Sequence, residues 1–424
     1  MPNASPFRPG RRQMMIGAAV LPFAMRIGGV ARAAAPDLAR LAPITNGAAP
    51  IDATERLSRL ARAQQLMRAA GIGAVLIEPG ASLIYFTGVR WHLSERLTCA
   101  IIPAEGTPCI VTPFFEEPSV RLSLAVPAEV RTWDEDEDPL ATVAGFLHDR
   151  RLAARPVGIE ERVRFFVTDR LRRALPGARL VSADPVVRGC RMIKSPAEIA
   201  LMKLASDVTL AAYRFVHPRI EAGMLESDVS AMMSAATRAL GGEVEFSMVL
   251  SGPNAALPHG GTAPRRIEAG DIVLMDCGCT VQGYQSDISR TFVIGAAPTK
   301  EQRTVWSQVA RGQQVAFATA RPGIPAGAID DAVRAYYESL GYGPRYRLPG
   351  LSHRTGHGIG MEGHEPVNLV HGEKTLLARG MCFSNEPGLY LPGRFGVRLE
   401  DCFHMTADGP AWFSEPPRSI ERPV

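Results

Sequence analysis

With 424 residues, 46% of them apolar and 21% charged, the chain is too long for one ordinary core and too apolar for a disordered polymer, so two domains are expected. The formal charge of +4 is misleading, because residues 1–35 hold five arginines and no acid, which leaves 42 basic against 43 acidic residues beyond them. A near-neutral body offers no electrostatic grip on nucleic acid or on an anionic membrane.

The first 35 residues read as an export segment. Arg11-Arg12 precedes an uncharged run from Gln13 to Met25, and small residues follow at Ala31-Arg32-Ala33-Ala34-Ala35. Thirteen uncharged residues are too few to span a bilayer. A twin-arginine start with an Ala-x-Ala exit describes a cleaved signal of the twin-arginine type, which places the mature protein in the periplasm or outside the cell. If the segment is only a basic tail, the location is cytoplasmic.

From about Leu41 to Cys190 the pattern alternates between helix and strand, an α/β arrangement. A helix is predicted over Asp52–Ala70 with Gly71 as its stop, then the strand Ala74–Glu78. Further strands are predicted at Leu83–Thr87, Leu97–Ile102, Cys109–Thr112 and Val157–Glu160, and helices at Leu140–Arg150 and Phe166–Ala174. Seven cysteines, an odd number in a long chain, do not make a disulfide scaffold. Cys99 and Cys109 lie symmetrically about a predicted hairpin turn, and the sequence leaves open whether they pair across the strands.

A second domain is expected over 194–424. Ser195, Pro196 and Glu198 fit the N-cap, N1 and N3 positions of a capping box, and the helix they open runs to about Val216. Helices follow at Glu226–Leu240, Lys300–Ala320 and Ile329–Leu340, with a second capping box at Thr299 and Gln302 and a stop at Gly341.

Short strand pairs in this half carry Asp276, Asp287, His357, Glu386 and Glu400. The two aspartates flank a hairpin that turns near Gln282-Gly283, and the two glutamates flank a Pro/Gly-rich turn. Side chains alternate on a strand, so if Asp276 faces a metal, Cys277 and Cys279 face away from it. Four crowded carboxylates resist ionising together unless cations offset them. Two divalent ions would do so. A set of four oxygen donors and one imidazole is hard, which favours Mn(II), with Co(II), Fe(II) or Zn(II) as alternative occupants, over a thiolate zinc site. Two such ions about 3.5–4 Å apart would polarise a carbonyl and supply hydroxide near neutral pH.

These residues resemble the pita-bread metallopeptidases that include aminopeptidase P and prolidase. His353-x-x-x-His357 followed by His364-Glu365 is similar to the proline-peptidase signature, and Pro258-His259-Gly260 is similar to its upstream substrate-binding histidine. Arg191 to Glu198 resembles the family's entry into the catalytic domain. Gly363 departs from the β-branched residue usual there. The resemblance spans roughly residues 50–424. It implies a creatinase-like N-terminal domain, which shapes the active-site mouth, often that of a partner subunit. It also implies a catalytic domain in which helices back a curved antiparallel sheet.

The resemblance further implies that Asp276 chelates one metal, that His357 and Glu386 complete the other, and that Asp287 and Glu400 bridge both. Glu386 is then the proton shuttle, and His364 and His259 are hydrogen-bond donors to the oxyanion or the leaving group. His353 joins the substrate-binding set. Arg398, two residues before Glu400, is expected on the same strand face and within reach of a substrate carboxylate. The expected substrates are proline-containing peptides and the expected assembly is a homodimer or higher homo-oligomer. Relatives that are sulfonium lyases carry an aspartate where Gly278 stands, and creatinase-like hydrolases lack the full metal set. Peptide length is left open, with the loop of Trp91, His92 and Arg96 among the segments expected to decide it.

Overall fold

The computed structural model describes residues 37–424 apart from 262, so the export segment expected at 1–35 lies outside the described residues. Helix α1 (Ala53–Ala70) begins where Asp52 accepts a hydrogen bond from the Glu55 N–H at 2.7 Å and ends at Gly71, whose φ of 68° only glycine adopts cheaply. Strand β1 (Ala74–Ile77) follows and is buried along its whole length.

The run predicted as a strand at Leu83–Thr87 is instead helix α2 (Ala81–Thr87), bracketed by Gly80 and Gly88. Ser82, Leu83, Tyr85, Phe86 and Thr87 are all buried. A helix covered on nearly every side has no polar face, so its sequence shows an apolar run without the helical period.

Next come β2 (Cys99–Pro103), β3 (Cys109–Pro113), α3 (Glu117–Ser123), β4 (Glu129–Trp133), α4 (Pro139–Asp149), β5 (Val157–Ile159), α5 (Phe165–Ala174), β6 (Leu180–Ser182) and α6 (Asp184–Arg191). The strands form one mixed sheet in the order β4-β3-β2-β1-β5-β6. Alternation along β1 sends Val75 and Ile77 into a core with α1 and α6, and Ala74 and Leu76 into a core with α4 and α5. The register pairs Cys99 with Val111 and Ile101 with Cys109. The two cysteines are therefore diagonal neighbours, a separation of roughly 7–8 Å at which no disulfide closes. Both thiols are free, which answers a question the sequence left open.

The second half opens with α7 (Pro196–Val216), and the Ser195–Glu198 capping box is formed in both directions. Then follow α8 (Glu226–Ala239), β7 (Glu243–Ser251), β8 (Ile272–Val281), β9 (Tyr284–Gln285), β10 (Ile288–Val293), α9 (Lys300–Thr319) and α10 (Gly327–Ser339). The last strands are β11 (Gly356–Gly358), β12 (Glu365–Leu369), β13 (Cys382–Asn385), β14 (Gly388–Leu391), β15 (Phe395–Arg398), β16 (Asp401–Met405) and β17 (Pro410–Trp412). Two antiparallel sheets, β10-β8-β7 and β12-β11-β13-β16-β17, and the β14–β15 hairpin make up this half. Helices α7 and α8 share one core with the first sheet; α9 and α10 share another with the strands around β13 to β16. Among the described residues no helix is long and apolar enough to cross a membrane.

Candidate metal centre

Strand β8 sorts its side chains by parity. Val273, Met275, Cys277 and Cys279 enter the core under α7 and α8, and Asp276 takes the opposite face and lines a cavity of about 1020 Å³. Both cysteines thus turn away from the candidate ligands, as strand alternation demands. The hairpin turns at Gln282 and Gly283, with φ of 52° and 83°, the signature of a type I′ turn. Asp287 sits in the break between β9 and β10, not on a strand, and its side chain returns to the same cavity.

Glu386 and Glu400 arrive by a second route. Strand β13 ends at Asn385, which pairs with Asp401 at the start of β16. The two glutamates flank that pair, and the β14–β15 hairpin is an excursion between them. Arg398 ends β15 and Glu400 lies beyond it, so the shared strand face expected of them does not exist, although both line the cavity. The Glu386 N–H donates to the Thr355 carbonyl at 2.9 Å, which brings Glu386 beside His357 on β11. Beneath Glu400, the Arg290 guanidinium donates to its carbonyl at 2.9 Å and to the buried Asp401 carboxylate at 2.7 Å.

All five expected ligands line one cavity, together with His259, His353, His364 and Arg398. Donor atoms of Asp287, His357 and Glu400 lie within 4.8 Å of one another. The His357 Nε2 is 3.7 Å from Asp287 Oδ2 and 3.4 Å from Glu386 Oε1. Asp276 stands outside this cluster, and Arg398 donates to its Oδ2 at 2.6 Å. The His357 Nδ1 faces the Gly358 carbonyl at 3.1 Å, which fixes the proton there and leaves Nε2 as a free lone pair.

The electrostatics fit a pair of divalent cations. Burial, reinforced by Asp276 and Glu386, pushes the Asp287 carboxyl well above its ordinary range, and burial with Asp287 does the same to Glu400. Burial also raises Glu386, against the opposing pull of Arg398. His357 is driven far below an ordinary histidine by burial and by its neighbour His364, so it is a neutral donor. Asp276 Oδ1 and Asp287 Oδ1 are buried and have no hydrogen-bond partner. Unpartnered buried oxygens in a crowd of carboxylates are what hard cations satisfy.

The accessory residues divide into two groups. His364 and His259 are exposed on the cavity wall, and His364 meets His357 edge-on at 4.2 Å between ring centres. His353 has both ring nitrogens engaged, Nδ1 with the Arg354 carbonyl and Nε2 with the Tyr390 hydroxyl, each at 2.7 Å. Its pKa is pushed down to about 3 by burial and by Arg398. Arg398 in turn reaches Ser289, Pro258, Tyr390 and Asp276.

Two residues without an assigned role in the sequence reading also matter. Glu365, directly after His364, is buried and accepts from Arg191, from Lys194 Nζ at 2.9 Å and from the Met361 N–H at 3.0 Å, which pins the loop that presents His364. Arg354 lines the cavity; its only sequence signal was its place between the two histidines of the motif. From the first domain Gly80, Ala81, Ile84, Arg90 and Arg162 complete the wall, whereas Trp91, His92 and Arg96 do not reach it. Arg96 pairs with Glu135 at 2.8 Å and Trp91 stacks on His92.

Comparison with known proteins agrees along most of the chain. The creatinase/prolidase N-terminal domain model matches residues 59–193 and the metallopeptidase family M24 model matches residues 200–407. A probable dipeptidase PepE of Mycobacterium tuberculosis is 36% identical over 371 residues, 86% of this chain and 95% of the relative. An Xaa-Pro dipeptidase of Lactobacillus helveticus is 29% identical over 367 residues, 85% of this chain and 98% of its own length. The crystal structure of dipeptidase PepE from Mycobacterium ulcerans superposes with a TM-score of 0.80 at 34% identity, covering 88% of this chain and 98% of that one. With its α/β first domain, its pita-bread second domain and a carboxylate-rich candidate metal site, the chain belongs to metallopeptidase family M24.

Proposed function

We propose that the protein hydrolyses Xaa-Pro peptide bonds in short peptides with two divalent cations, Mn(II) as the working metal, held by Asp276, Asp287, His357, Glu386 and Glu400. The observation that carries this reading is the convergence of those five side chains and the two exposed histidines on one cavity. When bound, the cations supply Lewis acidity at the scissile carbonyl and make water nucleophilic near neutral pH. Glu386 accepts the proton of the attacking water on a carboxylate oxygen and delivers it to the departing proline nitrogen. His364 and His259 each present a ring N–H to the oxygen that gains charge.

An Xaa-Pro bond is a tertiary amide without an N–H, so a site that grips through histidine donors and ligated carboxylates suits it better than one that pairs with the substrate backbone. A lyase-type aspartate at position 278 has no room. A Cβ on Gly278 would lie 2.4 Å from the Ser286 carbonyl oxygen and 2.5 Å from the Phe246 ring.

The test is to strip metal, restore Mn(II) and assay Gly-Pro beside a longer Xaa-Pro-Xaa peptide, with Asp287→Ala as control. Cleavage that needs metal and Asp287 supports the reading; two bound metals without cleavage of either peptide sinks it. Zn(II), Co(II) and Fe(II) in the same assay decide the metal. We also propose a homodimer or higher homo-oligomer, on the family relationship, and export through the residue 1–35 segment, on its twin arginines. A monomer by light scattering, or an uncleaved N-terminus in the cytoplasmic fraction, would contradict these.

A further inference from the structure

The two catalytic-domain arginines in the cavity are in opposite situations. Arg398 is 2% exposed and all its side-chain nitrogens are committed, one of them to Asp276. Four of its five N–H donors are used, so it cannot offer an incoming anion the two-pronged grip. Arg354 is partly exposed and makes one side-chain hydrogen bond, from Nη1 to the neutral Asn368 Oδ1 at 3.0 Å. Among the described residues no carboxylate forms an ion pair with it.

Strand register says where this guanidinium stands. Asn368 on β12 is paired with His357 on β11, so their side chains share a face of the sheet. The Arg354 head, tethered to Asn368, is therefore on the ligand side. It lines the same cavity as His357 and His364. A partly desolvated guanidinium with free donors binds a carboxylate in two parallel hydrogen bonds, a geometry lysine cannot copy.

We propose that Arg354 recognises the free C-terminal carboxylate of an Xaa-Pro dipeptide and so sets the preference of this site for dipeptides; the inference rests on the peptidase reading above. In a dipeptide the proline carboxylate is two bonds from the nitrogen that leaves. A cation beside His364 and His357 meets it there. In a longer peptide the same position is a neutral amide, and Arg354 gains nothing from it. This assigns to Arg354 the role expected of Arg398.

The experiment uses the metal-loaded, full-length protein and compares kcat/KM for Ala-Pro with that for Ala-Pro-amide, in wild type, Arg354→Ala, Arg354→Lys and Arg90→Ala. The ratio of the two substrates is the readout, so any general loss from a disturbed His353 or His357 cancels. The expected wild-type preference for the free acid is about 10–100-fold, the range of a charged hydrogen bond. It should collapse in Arg354→Ala through KM, recover in part in Arg354→Lys, and persist in Arg90→Ala. Calorimetry of L-proline against L-prolinamide should show the same selective loss of affinity in Arg354→Ala. A wild type indifferent to the amide, a preference that survives Arg354→Ala, or one lost only in Arg90→Ala overturns the inference and leaves the peptidase reading standing. Failure of the wild type to cleave either substrate overturns both.

Discussion

The Arg398 guanidinium donates to Asp276 Oδ2 at 2.6 Å, an ion pair whose side chains are 3% and 15% exposed. The arginine thus occupies part of the coordination space of a candidate ligand and holds it in place. Truncation leaves Asp276 without its partner beside three other carboxylates. Arg398→Ala should cost about 3 kcal/mol or more in the metal-free protein, the usual cost of orphaning a buried charge. The loss should be smaller after Mn(II) is added. Denaturation midpoints with and without metal check this; equal losses in both states would contradict it.

Metal removal should make stability depend on pH in a defined direction. Asp287, Glu386 and Glu400 have folded pKa values raised above their unfolded ones, so the folded metal-free state binds more protons than the unfolded chain. Their contribution is fully present below the unfolded carboxylate range and is lost as pH rises through the raised values. The chelated protein should melt at lower temperature at pH 8 than at pH 6. The Mn(II)-loaded protein should lack that trend, so the melting-temperature gap between the two forms widens with pH.

Gly278 tests how tightly the aspartate hairpin is built. A methyl group there meets the Ser286 carbonyl oxygen, one residue before Asp287, at 2.4 Å, and backbone cannot step aside as a flexible side chain would. Gly278→Ala should cost about 1–3 kcal/mol by overpacking and lower the metal retained after dialysis, because the strain falls on the chain next to a ligand. Elemental analysis of the dialysed variant reads this directly.

Glu365 holds the loop between His357 and His364 through two buried cations and a loop N–H. Glu365→Gln removes the charge that Arg191 and Lys194 share and should destabilise the protein by about 3–5 kcal/mol. At a temperature where the variant is folded, kcat should fall with metal content unchanged, since no ligand is touched. Loss of metal in parallel with activity would mean that the residue supports the ligands and not the histidine.

The capping boxes at Ser195 and Thr299, the Gln282-Gly283 turn and the facing of Asp276 away from Cys277 and Cys279 were legible in sequence because each is decided within a few residues. Helix α2 was not, because burial on nearly every side erases the periodicity that marks a helix. Whether Cys99 and Cys109 pair was not legible either, because it turns on a two-residue register offset that the loop alone does not reveal. The five candidate ligands stood out through residue type and order. The contacts that hold them did not: Arg290 reaches Asp401 across 111 residues of chain, and Arg398 reaches Asp276 across 122. Long-range polar partners of this kind leave no local trace.

The excursion between Glu386 and Glu400 has a further meaning. Its foot is closed by the Asn385–Asp401 pair, and its tip at Pro392, Gly393 and Arg394 is open to solvent. Distance along the chain between these carboxylates is thus decoupled from their distance in space. Lengthening the tip, or grafting a foreign epitope into it, would change the outline of the molecule while the coordinating oxygens keep their places. The base of the hairpin, where Arg398 lines the cavity and donates to the buried Tyr390 hydroxyl, tolerates no such freedom.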